Sequence, residues 1–93
     1  MKSIIQSKKE CYVCETAFNL HDHHCIYGTA NRKNSEKYGL KVWLCAYHHN
    51  MSNEGVHFNK ELDAHLKKLS QDKFEEIHGT REEFRKIFGK SYL

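Results

Sequence analysis

Two short ligand pairs, Cys11-x-x-Cys14 and Cys45-x-x-His48, constrain the fold of this chain more than any other feature. Thiolate and imidazole are good zinc ligands, and two such pairs close a tetrahedral site with little loop entropy to lose. A chain of 93 residues needs a staple of this kind, because so small a domain buries too little surface to rely on its core alone. In a secreted chain four cysteines would read as two disulfides. Here Met1 to Lys9 lacks the apolar core of a signal peptide, so the pairs read as metal ligands and the protein is expected in the cytoplasm. Cys25 stands alone in an apolar-leaning stretch and reads as a buried thiol, with a place as fourth zinc ligand instead of His48 as the alternative.

Around these pairs the sequence divides into one small α+β domain. Residues 1–10 are polar and basic and read as a flexible arm. Cys11 to Cys14 reads as a knuckle, a tight turn whose amides can hydrogen-bond the sulfurs. Phe18 to Tyr27 is expected as a first strand and Leu40 to Leu44 as a second, joined by a loop from Gly28 to Gly39 rich in turn formers. A short helix should begin near Cys45 or Ala46, carry His48 and His49, and end at Asn53-Glu54-Gly55. Asn59 is a natural N-cap for the next helix, whose apolar face is Leu62, Leu66, Leu69, Phe74 and Ile77, with Gly79 as its stop. Thr80-x-x-Glu83 is a capping box opening a last helix with Phe84, Ile87 and Phe88 inward. No apolar run approaches the roughly 20 residues that span a bilayer, so no membrane contact is expected. No heptad or interface stripe speaks for an oligomer.

The histidines are more numerous than a single zinc needs. His23 and His24 are consecutive in a strand, so their side chains leave it on opposite sides: one can bind a metal while the other faces a reactant. His49 follows His48 and, on a helix, is turned about 100° from it. A strand histidine and a helix histidine converging on one cation leave room for water and phosphate oxygens, as metal-assisted phosphodiester cleavage requires. His57 reads as a third ligand, a phosphate contact or an ordinary surface residue. Asp22 reads as an outer-shell partner of a histidine or a solvated residue. His21 and His65 have no evident partner, and His78 sits at a helix C-terminus, where positive charge is favourable.

Cys11-x-x-Cys14, His23-His24-Cys25-Ile26 and Leu44-Cys45-x-x-His48-His49 together resemble the HNH endonuclease superfamily, a ββα-metal motif grafted on a zinc-stapled treble clef. The resemblance covers residues 11–58, and the helical extension 59–93 is similar to that of small phage-encoded HNH-like proteins. It implies a structural zinc on Cys11, Cys14, Cys45 and His48, and a catalytic Mg²⁺ or Mn²⁺ on His23 and His49, a place Zn²⁺ or Ni²⁺ can also take. It makes His24 the general base and places the protein in a bacterial or phage-infected cell. The middle Asn of the motif falls here on Leu40, and Asn31 or Asn34 is the candidate to replace it.

Arg32, Lys33, Lys37 and Lys41 crowd the connection between the strands with only Glu36 opposing them, a patch suited to phosphates. The reading is a divalent-metal-dependent endonuclease or nickase acting on DNA. The alternative is a zinc-stapled adaptor for nucleic acid or protein whose catalytic centre has decayed.

Overall fold

The computed structural model describes residues 2–51, 55–57 and 59–93. Strand β1 (Leu20–His24) pairs antiparallel with β2 (Lys41–Cys45), and helix α1 (Thr29–Tyr38) connects them. A π-helical turn (Tyr47–Met51) follows β2, then helices α2 (Lys60–Ile77) and α3 (Arg81–Phe88). The chain is therefore a small α+β fold around a two-stranded sheet. Asn53 and Glu54, expected to stop the helix after β2, and Phe58 lie outside the described residues.

The register places His21 opposite Leu44 and His23 opposite Val42, while Asp22 faces Trp43 and His24 faces Lys41. Opposed residues share a face of the sheet. His21 and His23 thus lie on the face of the buried Val42 and Leu44, and Asp22 and His24 lie on the other.

The connection from Gly28 to Gly39 is a helix, not the loop expected from its turn formers. Its glycines stand at the helix ends, where Gly39 adopts the left-handed conformation that closes many helices. Its polar residues bond to distant groups instead of competing for their own backbone. Ser35 Oγ donates to the carbonyl of Ile26 at 2.6 Å, while Asn31 and Asn34 Nδ2 donate to the carbonyls of Phe88 and Ile87 at 3.2 and 3.2 Å. The last two satisfy carbonyls that the end of α3 leaves open.

The N-terminal segment, expected as a free arm, lies against the outer side of β2. Ile4 N–H donates to Gly39 at 2.9 Å and Trp43 N–H to Gln6 Oε1 at 2.8 Å. Ile5 and Ile4 pack on the two core clusters.

Those clusters divide the molecule. One gathers Cys25, Val42, Leu44, Val56 and Leu66 with Cys11 and Cys45 of the two short Cys and Cys/His pairs. The other joins Ile26 and Leu40 to Phe74, Phe84 and Phe88. Asn59 caps α2 by accepting from the amides of Glu61 and Leu62, and the Thr80–Glu83 capping box opens α3. Ile77, expected inside, is exposed; Gln71 is buried in its stead and holds the C-terminal tail through Ser91 and the amide of Tyr92.

Candidate metal centre and cleft

The knuckle folds through Glu15 N–H to the Cys11 carbonyl at 2.9 Å and docks on β2 through Tyr12 N–H to Trp43 at 2.8 Å. This brings Cys11 and Cys14 to Cys45, at the end of β2, and to His48, in the π-helical turn. Cys14 and Cys45 Sγ are 3.7 Å apart, and His48 Nδ1 lies 3.3 Å from Cys45 Sγ and 3.8 Å from Cys11 Sγ. Ligands about 2.3 Å from a tetrahedral zinc stand roughly 3.8 Å from one another, so the four can hold a zinc ion. Burial opposes ionisation of Cys11, but amide hydrogen bonds from Cys45, Cys14 and Val13 outweigh it and bring the thiol down to about 6. A thiolate is the form that binds metal. Cys25 is not part of this group. It is wholly buried in the core, and burial pushes its thiol up to about 12.

His48 and His49 diverge, though from the wider i→i+5 winding of a π-helix and not from the expected α-helix. The carbonyls of the same pair fix the next segment: Val56 N–H donates to His48 at 2.7 Å and His57 N–H to His49 at 3.4 Å. That return brings His57 beside His49, with Nε2 atoms 3.2 Å apart.

His23 completes a three-histidine group, its ring centroid 5.4 Å from that of His49 and 5.5 Å from that of His57. His23 is 3% exposed, and its Nε2 is buried without a hydrogen-bond partner. A lone pair buried at such cost is what a metal ligand requires. Burial, reinforced by His49 and His57, drives the His23 imidazolium down to about 3, and burial also lowers His49. Both rings are then neutral and able to ligate.

On the other face of β1, His24 Nε2 lies 3.1 Å from Glu36 Oε1. Lys41 Nζ binds Glu36 Oε2 at 2.9 Å and approaches Asp22 Oδ2 at 3.5 Å. The Lys41 ammonium, then His24, hold the Glu36 carboxyl down at about 2. Both groups open onto one cleft of about 970 Å³, which Arg32 and Lys33 of α1 also line.

Several expected contacts are distributed differently. Lys41 is engaged by Glu36 and Asp22, Lys37 lies over the Tyr38 ring at 5.4 Å, and neither lines the cleft. Asn31 and Asn34 bind α3 and do not orient His24. Leu40, on which the resemblance places the middle residue of its motif, is fully buried. His65 meets the Tyr12 hydroxyl at 3.1 Å, and His78 Nε2 donates to the Tyr38 carbonyl at 2.9 Å.

Two residues of the site lie outside the set that the sequence motifs mark. His21 Nδ1 lies 2.9 Å from His49 Nδ1, and the two-residue period of a strand already puts His21 on the face of His23. Glu36 read only as a counter-charge, because its placement one turn after Arg32 exists only once α1 is a helix.

No family model, curated protein or solved structure matches this chain. Among the described residues no helix is long and apolar enough to cross a membrane.

Proposed function

We propose that this chain is an HNH-type endonuclease or nickase that hydrolyses DNA phosphodiester bonds, built on a treble clef stapled by zinc on Cys11, Cys14, Cys45 and His48. The observation that carries the reading is the buried, unpartnered Nε2 of His23 beside His49 and His57, in a cleft shared with His24, Arg32 and Lys33. A divalent cation on the three histidines would supply Lewis acidity to a phosphate oxygen and to the leaving group. Three imidazoles suit Zn²⁺ or Ni²⁺ better than the harder Mg²⁺. His24 takes a proton from water, whose oxygen bonds to phosphorus as the ester P–O bond breaks. The leaving oxygen departs with the bonding pair and is protonated by solvent. Arg32 and Lys33 offset the phosphate charge.

The test is nicking of plasmid DNA with Mg²⁺, Mn²⁺, Zn²⁺ and Ni²⁺ in turn. His24→Ala should slow cleavage by roughly 10²–10⁴-fold and leave DNA affinity nearly unchanged. If the wild type leaves supercoiled, linear and single-stranded DNA uncut with every cation, the enzyme reading fails. The second reading, an adaptor with a decayed centre, draws on the buried Leu40 where the motif expects Asn.

A further inference from the structure

We propose that Glu36 is the positioning residue for His24, holding its Nε2–H so that Nδ1 is the nitrogen that accepts the proton of the attacking water. The kinetic consequence rests on the nuclease reading; the choice of tautomer does not.

The geometry comes from two elements and a cross-strand pair. His24 ends β1, Glu36 stands in the later part of α1, and Lys41 opens β2 directly opposite His24. Glu36 Oε1 is 3.1 Å from His24 Nε2, and Lys41 Nζ lies 3.1 and 2.9 Å from Oε1 and Oε2. The lysine therefore fixes the plane of the carboxylate, and the carboxylate fixes the ring. An ionised carboxylate only accepts hydrogen bonds, so the shared proton belongs to Nε2 and the lone pair to Nδ1. His24 and Lys41 are each mostly buried, at 18% and 17% side-chain exposure, which limits the alternatives open to either.

Asp22, His24 and Glu36 also approach closely enough to be read as a second cation site. Lys41 argues against that use, because its ammonium already lies between the two carboxylates and supplies the positive charge a metal would bring. An orienting role needs no further ligand, whereas a cation there would have to displace the lysine and compete for the base.

The experiment compares the zinc-loaded full chain with Glu36→Ala, Glu36→Gln and Glu36→Asp. It reads single-turnover cleavage at saturating DNA, DNA affinity, zinc content, and the ¹⁵N resonances of the His24 ring. Wild-type His24 should carry its proton on Nε2. Glu36→Ala should lose that preference and cut on the order of 10²-fold more slowly, the scale of a misplaced catalytic group. Its zinc content should be unchanged, and its DNA affinity equal or higher because a carboxylate leaves the cleft. Glu36→Gln keeps an acceptor oxygen and should recover part of the rate. A proton on Nδ1 in the wild type, or an Ala variant as fast as a cutting wild type, overturns the positioning role alone. A wild type that cuts nothing overturns the nuclease reading and the base role with it, a result the ¹⁵N tautomer distinguishes from misassigned geometry.

Discussion

Both ring nitrogens of His49 are engaged: Nδ1 meets His21 Nδ1 at 2.9 Å, and Nε2 meets His57 Nε2 at 3.2 Å. If Nε2 is the metal-binding atom, Nδ1 carries the proton and His21 accepts it, fixing the ring as outer-shell partners of metal-bound histidines do. His21→Ala should then weaken cation binding at the three-histidine site by roughly 10–100-fold, measured by calorimetry on protein already holding its zinc. His21→Asn offers a carbonyl in place of the ring nitrogen and should restore part of the loss. Equal affinity in all three proteins would reduce His21 to a neighbour. Glu36 makes a prediction of a different kind. Its carboxyl titrates near 2 in the folded chain, below the ordinary 4.5, because Lys41 and His24 favour the anion. A depressed value means that its stabilisation is complete above 4.5 and fades as pH falls toward 2. Glu36→Gln should therefore melt slightly below wild type at pH 7, with the gap closing below pH 4.5. The gap is small because the side chain is 43% exposed, and one that persisted in acid would point to shape rather than charge. Neither role was legible from residue type. His21 was within reach of the strand period, while Glu36 depended on a helix that the sequence concealed.

At the scale of elements, α1 explains why the concealment occurred. Gly28, Asn31, Asn34, Ser35 and Gly39 are turn formers by local chemistry, and the segment has no strong apolar face to signal a helix. What makes it helical is tertiary: Ser35 reaches Ile26, Asn31 and Asn34 reach the end of α3, and Gly39 turns the chain into β2. By contrast the caps of α2 and α3 are local, and Asn59 and Thr80 were readable because each side chain bonds amides within its own first turn. The two glycines of α1 separate strain from crowding. Both have positive φ, 105° at Gly28 and 73° at Gly39, but a Cβ at Gly28 meets nothing within 4 Å. A Cβ at Gly39 would collide with the backbone carbonyl of Lys2, where the N-terminal segment crosses. Gly28, at ψ 162°, occupies backbone space that only glycine adopts readily, whereas Gly39 is in the milder left-handed helical region. Gly28→Ala, through strain alone, and Gly39→Ala, chiefly through the collision with Lys2, should therefore each destabilise the protein by at least about 1 kcal/mol in urea unfolding of the zinc-loaded chain. A near-neutral Gly39→Ala would mean that the N-terminal segment moves aside without cost. α1 also brings Arg32, Lys33 and Glu36 to the cleft, so its anchoring to α3 connects the helical extension to the candidate site.

Across the whole molecule, the two ligand groups are mechanically in series. The quartet joins the knuckle, the end of β2 and the π-helical turn, and that turn then holds Val56 and His57 through the carbonyls of His48 and His49. On the proposed reading, a cation could therefore leave the three histidines without loosening the quartet, whereas loss of the quartet's zinc would disorder both groups. The open site has three imidazoles, whereas the closed one has three thiolates and a histidine, and apparent zinc binding in comparable closed sites is on the order of 10 kcal/mol. Increasing chelator should act in two stages. The first should remove the cation from His23, His49 and His57, abolishing cleavage while circular dichroism and melting temperature stay near native. The second should strip the zinc, and secondary structure should collapse, because a core split into two clusters in 93 residues cannot compensate. Variants should separate along the same line. His23→Ala should retain one zinc per chain and its fold, and Cys45→Ala should lose both. Loss of zinc from His49→Ala would show that His48 and His49 exchange roles, and a metal-free chain that kept its melting temperature would remove the staple from the account.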